Sequence, residues 1–221
     1  MGKLIVFEGI DGSGKSTQIG LICARLTREG RDFMQVAFPQ YEEPSSALIR
    51  MYLGGEFGDD PGAVNAYAAS SFFAVDRFAS FKKCWQKYYE RGGVILTDRY
   101  TTSNAVHQGA KLAQGSRETF FGWLYDFEFR LMGLPKPDLV LYLDISAKGA
   151  FQRLSRRQAE TGTGGDIHEK AEFLKKSAAC AKDAARYYGW RTIACVSAGR
   201  ERTEGEIEQE IYDCLIELWR E

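Results

Sequence analysis

Histidine is almost missing from this chain. There are 2 among 221 residues, too few for a zinc or iron centre built on imidazole. Cysteine is sparse too, with 5 residues at 23, 84, 180, 195 and 214 and no CxxC spacing. An odd count without paired spacing supports neither a disulfide framework nor a zinc ribbon, and it predicts free thiols in a reducing compartment. Surplus charge of either sign is absent: 29 basic residues stand against 30 acidic ones, for a net charge of -1. That excludes a dedicated nucleic-acid binder, whose affinity rests on excess Lys and Arg. One local basic cluster aimed at a small phosphorylated ligand remains open. Long apolar runs are absent as well. The opening stretch offers only Leu4 to Phe7, too short for a signal peptide or a membrane span. No internal repeat or low-complexity tract interrupts the sequence. These absences predict a cytoplasmic protein with one domain over residues 1–221 and no membrane or nucleic-acid partner.

What is present is an alternation of short apolar runs and helical periods. Leu4-Ile5-Val6-Phe7, Phe33 to Phe38, Val94-Ile95-Leu96, Leu139 to Leu143 and Thr192 to Val196 read as strands. Ile19, Ile22 and Leu26 repeat at helical spacing. So do Val64, Ala68, Phe72, Val75 and Ala79, then Phe120, Leu124, Phe127 and Leu131, and finally Ile207, Ile211, Leu215 and Leu218. Thr203-x-x-Glu206 is a capping box for the last helix. Continuously apolar strands separated by helices predict a parallel sheet covered on both faces. Ligands of such sheets bind at the carboxyl ends of the strands, so the residues that follow each strand carry the chemistry.

After the first strand comes Gly9-Ile10-Asp11-Gly12-Ser13-Gly14-Lys15-Ser16, a full GxxxxGK[ST] pattern. Glycines let the backbone curl so that N–H groups converge on phosphate oxygens. The helix that follows adds its positive end. Lys15 can reach the β- and γ-phosphates, and the Ser16 hydroxyl can ligate Mg²⁺. A nucleoside triphosphate site follows, though kinases, GTPases and motor ATPases all share this loop. No Asn-Lys pair occurs, so the base-reading motif of a GTPase is lacking.

The third strand ends in Asp98-Arg99-Tyr100. Asp98 suits a metal, and Arg99 offers a planar fork to a phosphate oxygen pair. Asp144 competes for the metal role, without a basic neighbour. Phe73 and Arg77 lie four apart on one helix face. They can hold a flat base, the ring stacking on it and the guanidinium bonding its polar edge, or serve ordinary packing. Ser103, Asn104, His107 and Gln108 make two further four-apart pairs, and an amide such as Asn104 can pair with a donor and an acceptor on a base edge. Arg153 and Arg157 share a helix face before Gly162 to Gly165. They form either a solvated basic helix or a lid that closes over ATP and excludes water.

Together these motifs resemble the thymidylate kinase family, nearly end to end. The family-specific parts are Phe38-Pro39, Phe73-x-x-x-Arg77, Asp98-Arg99-Tyr100 with Ser103-Asn104, and Pro137-Asp138. The resemblance implies an α/β three-layer P-loop kinase fold. Its five-stranded parallel sheet would carry helices on both faces and a short lid at about residues 153–168. It implies transfer of the γ-phosphoryl group of MgATP to dTMP, giving dTDP, in a homodimer packed through long helices. It places ATP on Gly9, Asp11, Gly12, Ser13, Gly14, Lys15, Ser16 and Thr17, and Mg²⁺ on Ser16 and Asp98. It places dTMP among Phe38, Pro39, Tyr41, Leu53, Phe73, Arg77, Arg99, Ser103, Asn104, His107 and Gln108. Lys15, Arg99, Asp11, Arg153 and Arg157 would be the catalytic residues, with Asp11 facing the nucleotide sugar or the metal. The missing basic residue at Gly12 and Ser13 resembles the branch that supplies arginines from the lid. Gln40 stands where many members have an arginine, and His107 replaces the usual Tyr or Phe. Another P-loop nucleotide or deoxynucleoside kinase, or a nucleotide-hydrolysing switch, is the alternative.

Overall fold

Strand β1 (Lys3–Glu8) is buried from Leu4 onward, with side chains alternating between two cores. Ile5 and Phe7 join Ile19, Ile22 and Ile211 on one face of the sheet. Leu4 and Val6 join Phe81, Trp85 and Tyr100 on the other. This two-sided burial is why the strand reads as a continuous apolar run.

The computed structural model describes residues 2–161, 171–197 and 199–220. After β1 come α1 (Lys15–Arg28), β2 (Met34–Ala37), α2 (Ala47–Leu53), α3 (Ala66–Ser80), α4 (Gln86–Glu90) and β3 (Val94–Asp98). Next are α5 (Thr101–Ser103), α6 (Arg117–Tyr125), β4 (Leu139–Asp144), α7 (Ala147–Thr161), α8 (Ala171–Tyr188) and β5 (Arg191–Ala194). A hairpin of β6 (Val196–Ser197) and β7 (Arg200–Glu201) leads into α9 (Glu204–Arg220). The main sheet has five strands in the order β2-β3-β1-β4-β5, all parallel. The expected α/β architecture, with its five-stranded sheet, is borne out.

Register brings the strand exits into line. Phe7 pairs with Asp98, and Ala37 pairs with Asp98 from the other side. The Arg99 N–H then donates to Phe7 O at 3.1 Å, and the Phe38 N–H to Asp98 O at 3.0 Å. Three chain segments therefore leave the sheet side by side.

Two helical stripes differ from expectation. In α3 the buried face carries Asp76 and Arg77, while Val75 is 53% exposed. Those charges have partners inside the protein, so the apolar stripe is turned partly outward. At residues 126–131 the helix widens into a π-turn. One extra residue per turn rotates Glu128 inward, fully buried, and leaves Leu131 exposed.

The capping box forms as expected. The Thr203 N–H donates to Glu206 Oε2 at 2.8 Å, and the Glu206 N–H to Thr203 Oγ1 at 3.2 Å. Thr203→Ala removes one half of that exchange and should cost about 1 kcal/mol of stability in urea denaturation. An unchanged midpoint would deny the cap its role.

Candidate active site

The loop between β1 and α1 is built on glycines that nothing else could replace. Gly12 has φ 78°, and a Cβ there would lie 2.4 Å from the Ala150 carbonyl oxygen of α7. Gly14, at φ 92°, turns the chain into α1. The curl draws Lys15 back over the loop, where its Nζ donates to Gly9 O at 2.7 Å and Ile10 O at 3.1 Å. Burial, and next the neighbouring Arg99, pull the Lys15 ammonium down to about 8, against the opposing pull of Asp11, Asp98 and Glu8.

Arg99 is the hub. Its backbone is left-handed, φ 66°, a conformation that costs a side-chain-bearing residue on the order of 1 kcal/mol. The Thr97 hydroxyl holds it there by donating to Arg99 O at 2.7 Å. The guanidinium is paired with Asp11 and lies 4.0 Å from Glu8. It also donates to Ser103 Oγ at 3.3 Å and meets His107 Nε2 at 3.0 Å. A guanidinium only donates, so His107 Nε2 is assigned as acceptor and the ring proton goes to Nδ1. Burial works against the Arg99 charge, yet Asp11, Glu8 and Asp98 together push its ionisation well above the ordinary value.

Glu8, fully buried, is the anchor beneath. It accepts from the Gly9 N–H at 2.8 Å and from the Thr102 and Ser103 hydroxyls at 2.5 and 2.7 Å. It thereby ties the loop to the segment after β3.

Ser16 Oγ donates to Asp98 Oδ2 at 3.1 Å. Asp98 Oδ1 is buried without a partner among the described residues. A hydroxyl beside a carboxylate with an unused oxygen fits a hard cation such as Mg²⁺. The described residues hold no cluster of three acidic, His or Cys groups able to grip a metal alone, so a cation here would also need phosphate or water oxygens. Asp144, the rival, is engaged instead by Lys182 at 3.3 Å and by the Tyr142 hydroxyl.

Two cavities open on this centre. One, of about 620 Å³, runs along Asp11 to Gln18 and is closed by Arg153, Glu201, Arg202 and Ile207. The other, of about 340 Å³, is lined by Phe38, Pro39, Tyr41, Leu53, Phe73, Arg77, Arg99, Ser103, Asn104, His107 and Gln108. Asp11 and Arg99 belong to both. Every residue expected around dTMP thus lines the second cavity. Gln40 does not, since its Nε2 donates back to Ala37 O at 2.8 Å. Arg153 donates to Ser13 O at 3.4 Å and Glu201 Oε2 at 2.9 Å, bridging the loop and the hairpin. The Arg157 side chain and residues 162–168 of the expected lid lie outside the described residues.

A family model described as thymidylate kinase matches residues 7–211. The thymidylate kinase of Mycobacterium tuberculosis is 34% identical over 204 residues, covering 89% of this chain and 94% of that one. The chain belongs to the thymidylate kinase family. A probable thymidylate kinase of Thermococcus onnurineus is 31% identical over 174 residues, 78% of each chain. Among solved structures, a thymidylate kinase from Candida albicans shares the fold, with TM-score 0.70 at 23% identity over 97% of this chain and 91% of that one.

The family motifs account for the residues expected around dTMP, which face the smaller cavity, but not for the acids behind them. Glu8, Asp76 and Glu128 are buried and were not expected to matter to the thymidylate kinase site. Asp76 accepts from the Gln40 N–H at 2.9 Å and the Ser45 hydroxyl at 2.6 Å, holding the Phe38-Pro39 segment to α3. A charge closing an otherwise apolar β1 was the available signal for Glu8. Glu128 had none, because its inward position comes from the π-turn. The Glu201-to-Ile207 wall was also missed, apart from the capping box within it.

The depressed Lys15 value makes nucleotide binding proton-linked. A bound polyphosphate favours the charged ammonium, so ATP binding should take up a proton above pH 8 and none well below it. Calorimetry in buffers of different ionisation enthalpy reads this directly, and proton release at the higher pH would contradict it.

Proposed function

We propose that this chain transfers the γ-phosphoryl group of ATP to dTMP, giving dTDP and ADP. The observation that carries the reading is the Asp11–Arg99 wall shared by both cavities. Two polyanions seated on either side can meet end to end. ATP runs along Gly9, Asp11, Gly12, Ser13, Gly14, Lys15, Ser16 and Thr17. Lys15 exchanges its two loop carbonyls for phosphate oxygens. Arg99 and Tyr41 grip the dTMP phosphate, and Arg99 keeps its charge through the surrounding carboxylates. Thymine lies against Phe73 with Arg77 and Asn104 at its edge, while Phe38, Pro39 and Leu53 wall the cavity. Ser103, His107 and Gln108 face the sugar side. Positioning and electrostatics supply the catalysis, and no covalent enzyme intermediate is needed.

Ser16 and Asp98 would hold Mg²⁺, whose charge would offset that of the bridging phosphates. Arg153 already touches the loop, and Arg157, from the expected lid at about residues 153–168, would join it in the grip. The reading treats residues 1–221 as one P-loop kinase domain. Leu48 of α2 and Val75 of α3, both about half exposed, support a homodimer packed through these helices. A cytoplasmic location agrees with free thiols, and among the described residues no helix is long and apolar enough to cross a membrane.

A kinase acting on an uncharged nucleoside would need a free carboxylate as base. Of the two nearby acids, Glu8 cannot serve, because its oxygens are taken up by Gly9, Thr102 and Ser103, and Asp11 is paired with Arg99. Nor would Arg99 have a phosphate to hold. In a coupled assay dTMP should turn over and thymidine should not. Lys15→Ala should abolish turnover with an unchanged circular dichroism spectrum, and wild-type-like turnover would remove the mechanism. Arg99→Ala should raise the KM for dTMP far more than that for ATP. Equal losses for both would contradict its place on the acceptor.

A further inference from the structure

Behind the base-facing wall of the smaller cavity sits a carboxylate that touches none of the space a substrate would fill. Glu128 is fully buried and accepts four hydrogen bonds. Arg77 Nε donates to its Oε2 at 2.7 Å, and Arg77 Nη2 to its Oε1 at 2.5 Å. The Thr101 hydroxyl donates to Oε2 at 2.7 Å, and Asn104 Nδ2 to Oε1 at 3.1 Å.

The consequences for the two cavity-facing side chains differ. Asn104 Nδ2 also donates to Ser70 O at 3.1 Å, so both amide N–H groups are engaged inside the protein. Only the amide oxygen is left to offer the cavity that Asn104 lines. Turning the amide round would set that oxygen against a carboxylate and a carbonyl, so its orientation is determined. Arg77 has five N–H groups. Two go to Glu128 and a third to Tyr100 O at 3.4 Å. What it can present to the cavity is one N–H on each Nη.

The wall therefore shows a donor from Arg77 beside an acceptor from Asn104. A pyrimidine with a 4-oxo group and a proton on N3 carries the complementary pair. A 4-amino pyrimidine carries the inverse at both positions, leaving a donor against a donor and an acceptor against an acceptor. We infer that Glu128 is a positioning residue that sets this polarity, and through it the preference for 4-oxo over 4-amino pyrimidine monophosphates. The C5 methyl group is not read by this trio. The inference rests on the reading of this cavity as the dTMP site.

Glu128→Gln tests it. The amide places an N–H₂ where one oxygen stood, so either Asn104 turns to show its own N–H₂, or Arg77 loses its aim. The readout is kcat/KM for dTMP over kcat/KM for dCMP, which a general loss of folded enzyme leaves unchanged. In Glu128→Gln the ratio should fall at least about tenfold, as expected for lost charge-assisted bonds. Glu128→Asp keeps an acceptor-only group and should keep the ratio within about threefold, whatever the loss in rate. Thr101→Val preserves shape while removing one donor, and should lower the ratio by roughly threefold. Should Glu128→Gln not fold, Thr101→Val decides. An unchanged ratio in the folded Gln and Val variants, or an equal collapse in the Asp variant, overturns the inference. Wild-type enzyme inert toward dTMP would instead overturn the reading of the cavity itself.

Discussion

In the proposed transfer, Arg99 stands where two bodies of negative charge must meet. A triphosphate end and a monophosphate end repel each other, and a cation between them is the condition for contact. The guanidinium is kept charged in a mostly buried setting by Asp11, Glu8 and Asp98. It is aimed by Ser103 and His107 and fixed to a left-handed backbone by Thr97. Sheet register does the rest, since the pairing of Phe7 and Ala37 with Asp98 makes Arg99 neighbour both the phosphate loop and the Phe38-Pro39 segment. Lys15, on the other side, feels Arg99 as a like charge. Burial first, and Arg99 next, lower its value.

The buried acids share one physical logic. Each lies behind a cavity-facing group and uses its oxygens on donors that would otherwise swing. Glu8 holds the loop and the segment after β3, Asp76 holds the chain after β2, and Glu128 holds Arg77 and Asn104. Such groups are not stability devices. Desolvating a buried pair costs about as much as its attraction returns, whereas removing one partner costs about 3–5 kcal/mol. Their yield is orientation, which in a phosphoryl transferase amounts to rate and in a base pocket to selectivity.

Much of this was readable from residue order. The GxxxxGK[ST] loop, the apolar strands and the Asp98-Arg99 pair each follow from local chemistry, and the family resemblance added the lining of the smaller cavity. What stayed hidden depended on contacts distant in sequence. The π-turn at residues 126–131 broke the helical period and brought Glu128 inward in place of Leu131. The buried Asp76 and Arg77 turned the expected stripe of α3 partly outward, because their partners come from other segments. The role of His107 was equally invisible, since nothing nearby in sequence suggests that its ring accepts from Arg99.

In the proposed reaction one wall, Asp11 and Arg99, separates two phosphate sites close enough for a single direct transfer. The stereochemical course at phosphorus tests it most directly, using ATP made chiral by isotopic oxygen at the γ-position. One in-line displacement predicts complete inversion of configuration in the dTDP formed. Retention would mean two displacements through an enzyme-bound phosphoryl group, and would contradict the account.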